Sequence, residues 1–212
     1  MNRAKTYDEN VHTIAELEEL ATAQLSPMTR GYYNGGAMEL VTLKENKTAF
    51  DKYKFRPRVL VDVTHVDTST TCLGAKSAFP LGIAPSACHG LAHPIAEIGT
   101  SRAAAKSGVH MILSCWSNTP SKDVIEEGKG SSIAYGQQVN VLSDEETNLN
   151  IIREPEETGY NALFLTVDTR WRGRRINEMK NKFELPEHLS FPSFPWMGEK
   201  NTAGSEEFPY GD

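Results

Sequence analysis

Cysteine is scarce in this 212-residue chain: Cys72, Cys88 and Cys115, with no C-x-x-C pair. Three scattered thiols build neither a disulfide framework nor a zinc site, and they read as the reduced thiols of an intracellular protein. Positive charge is short as well. Lys and Arg total 22 against 28 Asp and Glu, for a net charge of -6. The basic footprint of a nucleic-acid binder is therefore missing, and an anionic membrane surface would not attract the chain. No apolar run reaches the roughly 18 residues of a membrane-crossing helix. The leading MNRAKTYDENVHTIAELEEL carries acids where a secretory leader needs an apolar stretch. The closing EEFPYGD is neither a peroxisomal nor an ER address. Cytosol is the default expectation, with the peroxisome left open. Finally, no strand signal is followed by G-x-G-x-x-G or a P-loop, which weighs against a small open-sheet nucleotide-binding module.

What is present has the profile of a globular domain: 39% hydrophobic and 24% charged residues, so wholly disordered and collagen-like chains are excluded. Thr13 and Glu16 form a T-x-x-E capping box, followed by Ile14, Leu17, Leu20 and Ala21 at helical spacing. Ser26-Pro27 opens a second helix, with Ser as cap and Pro where its missing N–H costs nothing. Asn34-Gly35-Gly36 is expected to close it with a positive φ. Residues 37–53 read as a third helix. RPRVLVDV (56–63) and the Thr-rich 68–73 read as strands or extended chain.

From Phe79 the pattern becomes regular. FPLGIAP (79–85) is a short strand. Pro94 to Ser107 is a helix closed by Gly108. VHMILS (109–114) is a second strand. Pro120 to Glu127 is a helix closed by Gly128, and SSIAYGQQV (131–139) is a third strand. Ser143 with Glu146 is a further capping box, and the helix behind it runs to Gly159, with Pro155 expected to kink or shorten it. ALFLTVD (162–168) is a fourth strand. Continuous apolar runs suit strands covered on both faces. Strands alternating with helices predict βαβ units and a parallel sheet.

Strand starts at 79, 109, 131 and 162 lie 30, 22 and 31 residues apart, a pitch that suits an open doubly wound sheet or a (β/α)8 barrel. A barrel needs about 250 residues, and only 134 remain from Phe79 onward. No further strand–helix unit follows Asp168. A barrel here is expected to be half of one.

Seven blocks then run in collinear order: YYNGGA (32–37), FRPRVLVDV (55–63), PLGIAPSA (80–87), LAHP (91–94), SRAAAKSG (101–108), ILSCWS (112–117) and ALFLTVDTRWRGRRINEMKNKFELP (162–186). Together they resemble the FMN-dependent α-hydroxy-acid oxidases and dehydrogenases, the family of glycolate oxidase and lactate oxidase, from about Thr13 to Pro186. The resemblance implies an α/β fold: an incomplete (β/α)8 TIM barrel of about four βα units with an α-helical N-terminal extension. On that basis residues 1–78 are the extension with short strands, 79–185 the first half of the barrel, and 186–212 a mobile loop.

The resemblance also implies FMN as cofactor and a small 2-hydroxy acid as substrate. Position by position, it places Ala84, Ser86 and Ala87 against the flavin ring through backbone and small side chains. Ser114, Gln138 and Thr166 hydrogen-bond the ring's polar edge. Tyr32 touches the substrate carboxylate, Trp116 lines the substrate pocket and Arg175 clamps the carboxylate, where a planar fork suits two oxygens. Asp168 pairs with a catalytic histidine and stabilises its cation. No metal is implied. His89 and His93 stand four apart but lack a third ligand.

Two departures from the family pattern stand out. Asn140 occupies the place of a second active-site tyrosine, two residues beyond Gln138. The catalytic histidine, a second arginine, a flavin-contacting lysine and the phosphate-binding segments belong to the family's C-terminal half, and none of the six histidines here lies in the catalytic motif. Two readings follow. One is an FMN-dependent oxidoreductase seen as a truncated chain that is inactive alone. The other is a non-catalytic half-barrel remnant, or one half of a split protein, that associates with itself or with a complementary C-terminal half. Neither reading calls for nucleic acid or a membrane.

Overall fold

Local hydrogen bonding sets where the first helices begin. In the computed structural model, which describes residues 10–168 and 173–195, Thr13 Oγ1 accepts from Glu16 N, and Glu16 Oε2 accepts from Thr13 N, both at 3.1 Å. This reciprocal cap starts α1 (Ile14–Gln24) and contributes about 1 kcal/mol. Ser26 caps α2 (Pro27–Tyr33) through Thr29 N, with Pro27 in the first turn. α3 (Val41–Thr48) follows, continued by a 3₁₀ turn over Ala49–Lys52. Residues 10–53 form one compact unit together with 173–183, which contain α7 (Ile176–Lys180). Asn34-Gly35-Gly36 differ from expectation. Asn34 ends α2 at φ -95, and neither glycine has a positive φ. The glycines serve close approach instead: a Cβ on Gly35 would collide with the Gly31 carbonyl. Ile14, Leu17 and Leu20 are exposed, and nothing among the described residues covers that row.

Residues 54–168 and 184–195 belong to a second unit. Stretch 56–63 is neither a strand nor continuously extended: it joins no ladder, bends at Val59-Leu60 with Leu60 left-handed at φ 57, and leaves Val59, Leu60 and Val63 exposed. β1 (Thr70–Cys72) and β2 (Ala75–Ser77) form an antiparallel hairpin. Its turn is Leu73-Gly74, both at positive φ (53 and 74), the geometry that matches strand twist in two-residue hairpins. Leu in that place hides the signal that Asn or Asp would give.

Four parallel strands follow in sequential order: β3 (Gly82–Ile83), β4 (His110–Leu113), β5 (Tyr135–Val139) and β6 (Ala162–Leu165). Met111 pairs with Tyr135, and Gln138 with Phe164. The connecting helices are α4 (Ala96–Ser107), α5 (Ser121–Glu126) and α6 (Glu145–Thr158). The inner faces of α4 and α5, through Ala104 and Val124, meet Met111, Leu113, Ile133 and Tyr135 in the core.

Gly108 and Gly159 close α4 and α6 at φ 67 and 101, where a Cβ would be penalised. After α5 the left-handed residue is Gly130, not Gly128. Gly128 is needed because a Cβ there would collide with the Tyr135 hydroxyl. The cap of α6 is Asp144 rather than Ser143: its Oδ2 accepts from the Thr147 hydroxyl and from Thr147 N, the latter at 2.9 Å, and these two bonds, the hydroxyl's first, hold the Asp144 carboxyl below the usual carboxylate range. Pro155 does not shorten α6. It lies one turn from the end, so only one ladder bond is lost, and its own carbonyl accepts from Gly159 N and Tyr160 N.

Coverage of the strands divides by position. β5 is buried throughout and β4 nearly so, whereas β6 alternates. Leu163, Leu165 and Val167 are 52, 55 and 83% exposed, and Phe79 and Leu81, just ahead of β3, are also exposed. Two-sided coverage thus holds for the two central strands only, because the outer two have a neighbour on one side. No helix among the described residues is long and apolar enough to cross a membrane. Residues 169–172 of the ALFLTVDTRWRGRR block, and 196–212 of the expected terminal loop, lie outside the described residues.

Candidate functional site

The carboxyl ends of β4, β5 and β6 bring three polar side chains into one row. Gln138 is the centre. Its Oε1 accepts from Ser114 Oγ at 3.3 Å and from Cys115 N at 3.2 Å. Its Nε2 donates to Thr166 Oγ1 and Asn140 Oδ1, both at 2.8 Å. The backbone donor at Cys115 fixes which way the amide points, since only the oxygen can meet it. Ser114 and Gln138 are buried and Thr166 is half-buried. Gly136, two residues back along β5, leaves the space that the Phe164 ring fills, 2.6 Å from where a Cβ would stand.

Asn140 is part of this row. Its Oδ1 takes Gln138 Nε2 and also the Cys115 thiol, at 3.5 Å. The sequence marked Asn140 only as a departure and Cys115 only as one of three scattered thiols; their joint role in orienting Gln138 has no local signature. Burial pushes the Cys115 thiol up to about 12. It stays protonated at neutral pH, and its contribution to stability is lost as pH rises from the ordinary value of 9.0 towards about 12. We expect a disulfide thiol reagent at about pH 8 to modify exposed Cys72 at once and buried Cys88 and Cys115 only after unfolding. A second fast-reacting thiol in the native protein would contradict this.

Behind β3, Ala84 and Ser86 are exposed and Ala87 is half-buried. Cys88 is left-handed at φ 59, a strain of about 1–2 kcal/mol for a residue with a Cβ. Its N–H donates to Trp116 O at 3.1 Å, so the loops after β3 and β4 are tied together. The Trp116 ring packs at 4.1 Å on Phe194 and edge-on at 5.3 Å to Phe191. Asp168 follows β6 and is exposed. His89 and His93 do not converge on a metal: His89 Nδ1 meets Thr100 Oγ1, and His93 Nδ1 accepts from Ile95 N.

Tyr32 and Arg175 belong to the first unit, the other candidate residues to the second. Within the first unit the Arg175 guanidinium lies 5.3 Å from the centre of the Tyr32 ring, and that ring stacks on Phe183 at 4.7 Å. Arg175 also pairs with the buried Glu178 at 2.6 Å. A substrate carboxylate would have to draw the guanidinium from that partner.

The donor set suits a flavin. A flavin's polar edge alternates carbonyl oxygens with an N–H, and a row of hydroxyl, amide and hydroxyl can supply both donors and acceptors along it. Small residues at 84, 86 and 87 put no bulk against a flat ring. The profile of the FMN-dependent dehydrogenases matches residues 21–207. The chain belongs to the FMN-dependent dehydrogenase family.

Several known proteins are similar to the chain. Oxidase FUB9 of Fusarium oxysporum f. sp. lycopersici is 40% identical over 204 residues, 96% of this chain and 53% of that protein. Glycolate oxidase of Spinacia oleracea is 39% identical over 206 residues, 95% of this chain and 55% of that protein. Among solved structures, a mandelate oxidase variant with (S)-mandelic acid superposes with a TM-score of 0.80 at 32% identity, covering 85% of this chain and 52% of that one. The chain thus spans about half the length of the relatives it matches, and its four sequential parallel strands are those of an incomplete barrel of this family.

Proposed function

We propose that the protein serves an FMN-dependent oxidoreductase that acts on the CH–OH group of small 2-hydroxy acids. The observation that carries this reading is the Ser114–Gln138–Thr166 row in a chain of this family. FMN, when bound, supplies the two-electron acceptor for the α-carbon. In this reading Gln138, Ser114 and Thr166 hold the polar edge of the ring, and the backbone of Ala84, Ser86 and Ala87 approaches its face. Gln138 already spends both N–H groups on Asn140 and Thr166. Binding therefore exchanges one internal bond for one to the cofactor and keeps the amide's direction. Tyr32 and Arg175 take the substrate carboxylate, with Arg175 shifting from Glu178 to a two-oxygen ligand of the same charge. Trp116, backed by Phe194, walls the pocket. Asp168 orients a histidine base that the family carries in a motif outside this sequence, so hydroxyl deprotonation needs that segment. Cytosol remains the default compartment.

The test is an FMN titration of the purified chain, followed by addition of glycolate or lactate without oxygen. Saturable quenching of flavin fluorescence and a yellow complex that the acid does not bleach support the reading. A colourless, concentration-dependent oligomer overturns it in favour of a non-catalytic assembly component, whose contact surface would include the exposed Leu163, Leu165 and Val167 row. A preference for NAD or ATP over FMN overturns it in favour of a nucleotide-binding module.

A further inference from the structure

Glu97 is fully buried on α4, yet no described cation pairs with it. Its Oε1 accepts from His89 N and Asn118 N, both at 3.1 Å, and its Oε2 accepts from Thr119 Oγ1 at 2.8 Å. The first donor belongs to the segment behind β3 and the others to the segment behind β4. The same two segments are joined by Cys88 N to Trp116 O and by Gly90 N to Asn118 Oδ1, both at 3.1 Å. Asn118 Nδ2 goes on to Ser190 O at 3.0 Å. Glu97 thus grips both segments at once with three bonds, beside the single bond that the Asn118 side chain accepts from Gly90 N. On either side of this clasp, Cys88 and Ala96 hold left-handed backbone at φ 59 and 46, a conformation that persists in such residues only when the surroundings impose it.

We propose that Glu97 is a positioning residue: its carboxyl group fixes the Ala84–Ala87 segment against the Ser114–Trp116 segment, and so sets the spacing between the cofactor-facing and substrate-facing walls. This rests on the flavin reading above, because the value of the spacing lies in what it brackets. The chemistry requires an acceptor of this reach. A carboxyl group has no donor to waste, and three donors converge on it from two directions. Glutamine meets the same demand. Its oxygen takes the two backbone N–H groups, and its amide N donates to the Thr119 hydroxyl, which accepts equally well. Alanine takes the shared acceptor from all three donors, which stand on half-buried residues.

The test compares Glu97→Gln, Glu97→Ala and Ser101→Ala in the full chain. Ser101 lies one turn further along α4. It is fully buried and bonds Val124 O and the Tyr135 hydroxyl at 2.6 Å, so its loss perturbs the core without touching either segment. Amide hydrogen exchange is followed at His89 and Asn118, and FMN affinity by fluorescence quenching. We expect Glu97→Ala to speed exchange at both amides about tenfold or more and to weaken FMN binding by a similar factor. Glu97→Gln should restore both to within about twofold, and Ser101→Ala should leave the two amides protected. Equal acceleration in Ser101→Ala, or no rescue by glutamine, would reduce Glu97 to a general stability residue and overturn the proposal. So would fast exchange with unchanged FMN affinity. If Glu97→Ala does not fold, Glu97→Asp, whose shorter carboxyl cannot reach donors on both segments, takes its place in the same comparison. Absence of FMN binding by the wild type would defeat the flavin reading instead, while the exchange data would still report whether the clasp exists.

Discussion

Replacing Gln138 with leucine is expected to lower unfolding free energy by about 3 kcal/mol and to weaken FMN binding at least about tenfold. The side chain meets four partners: Ser114 Oγ, Cys115 N, Asn140 Oδ1 and Thr166 Oγ1. Leucine fills the volume but offers no acceptor to the Cys115 amide, which is fully buried. Each buried polar group left unmatched costs about 1–3 kcal/mol, and water does not reach this one. Gln138→Glu gives the informative contrast. One carboxyl oxygen keeps Ser114 and Cys115. The other faces Thr166, which can turn its proton to donate, and Asn140 Oδ1, which cannot. Asn140 would have to flip its amide and abandon the Cys115 thiol. A loss of about 1 kcal/mol follows. Urea titrations of the three proteins check the order wild type, Glu, Leu. A leucine variant as stable as wild type would show that the row does not hold the strand ends together.

Phe194→Ala is expected to cost about 3–5 kcal/mol, the range for emptying a buried aromatic site. Phe194 is 1% exposed and packs at 4.1 Å, tilted by 34°, on Trp116, which also meets Phe191 edge-on. Removing the ring opens a cavity that the flanking segment, with Pro192 and Pro195, is too stiff to collapse. Trp116 then loses its apolar wall. Its emission should move to longer wavelength, a change absent when Phe194→Ala is made in a Trp116→Phe background. Denaturant unfolding gives the stability, and difference fluorescence between the two backgrounds gives the environment of Trp116. A loss below about 1 kcal/mol would mean that this segment closes over the gap.

Much of the scaffold was legible before any coordinates. Helix limits at Thr13, Ser26, Gly108 and Gly159 are written in hydrogen-bonding side chains and φ preferences within a few residues of each end. The parallel sheet follows from apolar runs alternating with helical segments. Where local reading slipped, the competing signal was also local but finer. Asp144 capped in place of Ser143 because it stands directly before the first helical turn. Gly130 took the left-handed turn while Gly128 made room for the Tyr135 ring. The positions of the site residues at strand ends came from motif order. Glu97 left a faint trace, since it shares the 97, 101, 104 face with buried Ser101 and Ala104, and an acid on a buried face calls for donors.

The sequence alone determined most helix limits and the strand–helix alternation of a parallel sheet, because caps, turns and apolar runs act within one element or between neighbours, while its seven motif blocks carried the family resemblance and with it the strand order of a barrel. Tertiary structure alone decided that Gln138 is held by Ser114, Cys115, Asn140 and Thr166 together, that Arg175 rests on Glu178, that Trp116 lies against Phe194 and that Glu97 grips two loops. These contacts join residues from different elements, and the direction of an amide or carboxyl group is set by whichever donors the fold brings to it from other strands.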